Sequence, residues 1–215
     1  MKTTLLRLLS LAACTATFVC TTLPVRSQDQ PVQEEESEEA PQRLTPDEAK
    51  KRYKELEKAQ NAEIRKMLKV FTALEGEWTG KEKIEHTEEE DKAFDIAWND
   101  VWKGFFTMEG RYFEMTGQTD GENASTYRWV CTWLPAEESY QAWYFGETTQ
   151  TLYTGELSSD GKYVIWTRED EVTETKTEFS MIPEGDRVKC AGTDRKEGRV
   201  SSRQSSSYTR KKVEL

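Results

Sequence analysis

Carboxylates are the first candidates for chemistry in this chain, which carries 40 Asp and Glu against 30 Lys and Arg, a net charge of -10 over 215 residues. Asp95, Asp100 and Glu109 stand beside aromatic residues, and Glu114 and Glu156 fall in segments of alternating polarity. Two such groups roughly 5–9 Å apart in a cleft, one with a raised pKa, would hydrolyse a glycosidic bond. With so many acids, pairs can be drawn almost anywhere, so hydrolysis by paired carboxylates stands only as the third reading. His86, the one histidine, precedes Thr87-Glu88-Glu89-Glu90 and reads as a loop residue in water. The serines at 201, 202 and 205–207 have no nucleophile elbow and no base besides His86. Isolated glycines form no phosphate loop, and no Cys/His spacing suits zinc. The reading is therefore of a protein without catalytic residues, metal or cofactor. Its acidic balance argues against nucleic acid, which needs a basic patch.

The unusual feature is aromatic. All seven Trp lie between Trp78 and Trp166, and Tyr127, Trp129, Cys131 and Trp133 recur at every second residue. Tyr140–Phe145 is nearly continuous aromatic sequence, with Tyr163 and Trp166 following. Such rings either fill a core or line a cavity that stacks a flat ligand while their polar ends orient it. Tyr127, Trp129, Trp133, Tyr144 and Trp166 are the lining candidates. Open space among Tyr127, Trp129, Tyr144 and Trp166, with polar groups reaching in, would favour binding. A filled interior would favour a structural or interaction module of the envelope.

The elements that must hold these rings follow from periodicity. From Trp78 onward polarity alternates with period two, broken by Gly110, Asp120-Gly121, Leu134-Pro135, Gly146, Asp160-Gly161 and Gly185-Asp186. Asp160-Gly161 between two alternating segments is a strong hairpin signal. About 8–10 short strands without helix-sized segments between them exclude a parallel βαβ order. The fold predicted is all-β, an antiparallel up-and-down barrel, with a sandwich as the other way to close a meander. Polar late strands suit a barrel with a partly polar cavity. Before the strands, Thr45-Pro46-Asp47-Glu48 is a capping box with Pro in the first turn. Tyr53, Leu56, Ile64, Met67, Phe71 and Leu74 follow at helical spacing, predicting one amphipathic helix within residues 45–72.

Residues 1–26 have the basic start and apolar run of a signal peptide. Leu11-Ala12-Ala13-Cys14 has the form of a lipoprotein cleavage box, in which Cys14 would carry the lipid. Residues 27–44, with Glu34, Glu35, Glu36, Glu38 and Glu39, read as a disordered acidic linker. The chain is thus expected in the periplasm or at the outer surface, with lipid attachment as one form of tether. An oxidising compartment permits a Cys131–Cys190 disulfide, since both thiols share the parity of apolar neighbours.

Leu74-Glu75-Gly76-Glu77-Trp78-Thr79-Gly80, set beside the closing Tyr208-Thr209-Arg210, resembles lipocalin-like, or calycin-type, β-barrels. It is similar in particular to an uncharacterised group of exported bacterial domains with a Leu-x-Gly-x-Trp-x-Gly opening. The resemblance implies a barrel over residues 73–212, with Gly76, Trp78, Gly80 and Arg210 as its structural signature. It also implies that Arg210 on the last strand packs over the Trp78 indole. The function expected is non-enzymatic binding of a small apolar or aromatic-stacking ligand.

Overall fold

The computed structural model describes residues 44–121 and 124–212. The signal peptide, Cys14 and the linker, apart from Leu44, lie outside the described residues. Helix α1, Pro46–Met67, starts as its sequence dictates. The Thr45 amide donates to the Glu48 carboxylate at 2.9 Å, and the Glu48 amide donates back to the Thr45 hydroxyl at 3.4 Å. No residue of α1 is fully buried; Ile64 and Met67, near its end, pack against the core.

The α-helix stops earlier than its apolar spacing suggests. Leu68–Leu74 is a 3-10 helix, in which residues three apart eclipse. Leu68, Phe71 and Leu74 therefore stack on one face, and all three are buried. This short segment enters one end of the barrel and plugs it.

Ten strands follow: β1 Gly76–His86, β2 Ile96–Thr107, β3 Tyr112–Thr119, β4 Thr126–Leu134, β5 Ser139–Phe145, β6 Gln150–Leu157, β7 Val164–Asp170, β8 Thr175–Glu184, β9 Arg187–Lys196 and β10 Arg199–Arg210. Each pairs antiparallel with the next, and β10 returns to β1, so the sheet closes without an edge. This is an all-β, ten-stranded up-and-down barrel behind one helix. Asp160-Gly161 lies in the connection between β6 and β7, a six-residue loop pinned by the Ser158 hydroxyl rather than a two-residue turn. Two-residue connections lie elsewhere, at Gly185-Asp186 between β8 and β9 and at Glu197-Gly198 between β9 and β10. Glu197 and Gly198 join β9 to β10 with φ of 50° and 77°, the double positive φ of a type I′ hairpin.

The meander gives the barrel two unlike ends. Because β1 leaves the plug, the β2–β3, β4–β5, β6–β7 and β8–β9 connections lie at the plugged end. The β1–β2, β3–β4, β5–β6, β7–β8 and β9–β10 connections form the other rim. Aromatic packing fills the plugged half. Phe71 stacks on Phe113 with centroids 5.2 Å apart, meets Tyr140 edge-on at 5.8 Å and lies parallel to Trp166 at 6.2 Å. The Trp78 indole N–H donates to the Leu74 carbonyl at 3.0 Å, fastening the first strand to the plug.

Candidate functional site

Beyond this packed half, the barrel holds a cavity of about 690 Å³. Tyr127, Trp129 and Tyr144 line it together with Tyr153 and Phe179, while Trp98 and Trp102 stand on the wall formed by β2. Trp129 is the pivot between the two halves. Its ring meets Trp166 edge-on at 5.5 Å on the plug side, and Phe179 and Tyr153 at 5.3 and 4.9 Å on the cavity side.

Two expected lining residues belong to the core instead. Trp133 and Trp166 point inward like the others, but at the plugged end, where Trp166 packs on Phe71. Trp133 packs edge-on against Tyr140 at 4.9 Å and donates its indole N–H to Glu63 of α1 at 3.1 Å. Trp143 and Phe145 fall on the outward parity of β5.

Asp100 is the polar centre of the cavity floor and only 1% exposed. Its Oδ2 accepts the Tyr127 hydroxyl at 2.8 Å and the Tyr208 hydroxyl at 2.9 Å. Each phenol crosses an intervening strand to reach it. Gly80 on β1 pairs with both Tyr208 of β10 and Asp100 of β2, and a Cβ there would stand 2.6 Å from the Tyr208 ring. Gly117 on β3 pairs with Tyr127 of β4, and a Cβ there would stand 2.3 Å from that ring. Real Cβ contacts are not that close, so two bare glycines are what let two tyrosines converge on one aspartate from opposite sides.

Glu82, on the inward parity of β1, completes the arrangement. Its Oε2 lies 3.1 Å from the same Tyr208 hydroxyl, and its Oε1 accepts from the Gln204 amide. A phenol has one proton and cannot donate to Glu82 and Asp100 at once. Burial is the main cause that raises the pKa of each carboxyl above its ordinary range; for Glu82 the nearby Asp100 adds to it. Burial and the same two acids also push the Tyr127 and Tyr208 hydroxyls far above the usual phenol value, so both remain donors. Four buried side-chain polar atoms among the described residues lack a hydrogen-bond partner: Trp98 Nε1, Asp100 Oδ1, Trp102 Nε1 and Ser206 Oγ. All four belong to residues that line this cavity.

The other carboxylates scatter. Asp95 sits at the rim, accepting the His86 amide at 2.6 Å with His86 Nδ1 at 3.3 Å, which is where the single histidine is spent. Glu109 is exposed on Arg65, Glu156 is exposed on β6, and Glu114 takes Arg128 at 2.6 Å on the outward parity of β3. The expected Cys131–Cys190 bridge is absent: both are free thiols. β4 and β9 stand five strands apart in a ring of ten, diametrically opposite, so two inward-facing thiols are separated by the interior. The Cys131 thiol instead donates to the Phe113 carbonyl at 3.4 Å.

Glu82, Trp98, Trp102, Tyr153, Phe179, Gln204 and Tyr208 were not among the expected lining residues. Parity carried the signal for several of them. Glu82 continues the series Trp78, Gly80, Ile84, and Trp98, Asp100 and Trp102 share one face of β2.

Gly76, Trp78 and Arg210 lie at the seam where β1 meets β10. Arg210 pairs with Trp78, and its guanidinium lies over the indole. No protein-family model matches the chain, and no curated protein matches it in sequence. Among solved structures the chain is similar to an S-type phycobiliprotein lyase from Guillardia theta, at 9% identity over 68% of this chain and 93% of that one, with a TM-score of 0.49.

Proposed function

We propose that this protein is a non-enzymatic binding barrel that takes a small molecule with a flat apolar body into its open half. The observation that carries the reading is the cavity itself. Tyr127, Trp129 and Tyr144 stand around about 690 Å³ of space into which Asp100, Glu82 and Tyr208 reach. Rings supply stacking faces and the polar groups supply orientation, the usual division in a ligand pocket. A filled structural barrel accounts for the plugged half but not for unpartnered polar atoms around an open one.

With this goes the leader as read from sequence: export to the cell envelope, lipid attachment at Cys14, a linker as spacer, and kinship with exported bacterial domains of the same opening motif. Mass determination of the mature N-terminus tests that part. Binding is tested with the fluorescent aromatic N-phenyl-1-naphthylamine titrated into the purified protein. Saturable single-site binding, weakened severalfold by Tyr144→Ala, is the expected result. Non-saturable binding, or binding indifferent to that change, would sink the reading.

A further inference from the structure

Charge around the cavity has one sign. Glu82, Asp95, Asp100 and Asp120 line it, and no Lys, Arg or His among the described residues does. The two rim acids are compensated locally. Asp95 has its His86 contacts, with Lys83 near, and Asp120 accepts from Asn99 at 2.7 and 2.8 Å, with Lys81 near. Arg168 lies beside Tyr153 and is engaged by Asp170 at 3.2 Å. Among the described residues, Glu82 and Asp100 have no such cation. Their neighbours are phenols, the Gln204 amide, the Val101 backbone and each other.

We propose that the cavity is built for an organic cation: a protonated amine or quaternary ammonium on a flat apolar body, its head against Glu82 with Asp100 behind it. The assignment rests on the ligand-binding reading above and specifies the ligand's chemistry. A cation supplies what the floor lacks. Tyr127 donates to Asp100 and Gln204 to Glu82, but the two acids compete for the one Tyr208 proton. No positive group among the described residues faces either, and a buried carboxylate without a counter-charge is costly until one arrives. The walls fit as well, because Trp98, Trp102, Trp129, Tyr127 and Tyr144 offer ring faces that attract cations and stack on apolar bodies. An acceptor on the same ligand would meet the unpartnered indole N–H groups of Trp98 and Trp102. An anionic ligand would face four carboxylates. A metal ion is poorly served, since no group of three ligating side chains forms among the described residues.

The test uses three matched probes at neutral pH: 2-(1-naphthyl)ethylamine, 1-ethylnaphthalene and 3-(1-naphthyl)propionate, titrated calorimetrically into the full chain. The amine should bind at least about tenfold more tightly than the neutral hydrocarbon, a difference of about 1.4 kcal/mol. The propionate should bind more weakly than either. Glu82→Gln and Asp100→Asn keep shape and hydrogen-bonding capacity while removing charge. Each should cost the amine about tenfold and leave the hydrocarbon within about twofold. Equal affinity for amine and hydrocarbon, or amine binding untouched in both variants, overturns the cation assignment and leaves the cavity reading standing. Failure of all three probes to bind overturns both.

Discussion

The guanidinium of Arg210 lies over the indole of Trp78, 4.3 Å from the ring centroid, at the seam where the last strand meets the first. Trp78 in turn stacks on Trp102 at 5.4 Å, so one cation and two indoles form a column across three strands. Arg210 also donates to the backbone carbonyls of Ala73, at 2.9 Å, and Glu75, at the exit from the plug. A single side chain thus joins seam, plug and core.

Arg210→Lys should destabilise the barrel by about 1–2 kcal/mol, because an ammonium keeps the charge but not the flat stack or the fork of donors. A double-mutant cycle with Trp78→Phe, followed by denaturant unfolding, should give a coupling of at least about 0.5 kcal/mol. Additive effects would mean that the seam is held by its strand pairing alone.

Gly117→Ala should drive the Tyr127 ring off Asp100 and cost about 1–3 kcal/mol through overpacking. Combined with Tyr127→Ala, it should cost less than the sum of the two single changes, because the clash is gone. Should the single variant unfold like the parent protein, the crossing of Tyr127 over β3 is not the constraint described here.

The contribution of Asp100 to the stability of the empty barrel should fall as pH rises out of the acid range. An acid whose pKa is higher in the folded state binds more protons folded than unfolded, so unfolding is easier as pH increases. For Asp100 the favourable contribution is complete below its ordinary value of 3.8 and is lost as pH passes through the raised folded value. Asp100→Asn removes that share of the decline, whose steepest slope is about 1.4 kcal/mol per pH unit for one group, and leaves the share that belongs to Glu82. Chemical denaturation from acid to neutral pH checks this, and parallel curves for the two proteins would count against it.

Cys131 and Cys190 should be recovered as separate, unlinked peptides from oxidised, non-reduced protein. Both should also alkylate slowly until the barrel unfolds, since the thiolate is the reactive form. Burial pushes the Cys190 thiol up to about 12 and Cys131 higher still. Rapid labelling of native protein at neutral pH would show that the interior is more accessible than its packing implies.

Phe71→Ala should cost about 3–5 kcal/mol, as expected for a buried aromatic. Phe71 is the one plug residue in ring contact with Phe113, Tyr140 and Trp166 together. A loss under about 1 kcal/mol would mean that the barrel closes without its plug.

Alternation made an antiparallel meander legible, because a period of two from Trp78 onward leaves few ways to bury one face. Barrel over sandwich came from the polar late strands and the likeness of the opening and closing motifs. Inward parity was equally legible: Tyr127, Trp129, Cys131 and Trp133 do share a face. What alternation cannot show is depth along the barrel axis. Tyr127 begins β4 at the open rim and Trp133 lies near its plugged end, so residues of one stripe serve cavity and core. The plug supplies the missing coordinate. Once Leu68, Phe71 and Leu74 are seen to enter where β1 starts, each strand's direction follows by counting. Glu82 and Tyr208 stayed hidden for another reason. Glu82 and Asp100 meet through the pairing of β1 with β2, but Tyr208 is remote in sequence from both and only the closing of β10 onto β1 brings it to them.

The plug and the seam lie at the same end, where β1 starts and β10 finishes. The opposite rim is made of five hairpin connections and carries neither end of the barrel. Lengthening or rewriting those connections would reshape the doorway without disturbing the groups that close the sheet. Such a scaffold can diversify, in nature or in the laboratory, by loop exchange at one end while the other stays invariant.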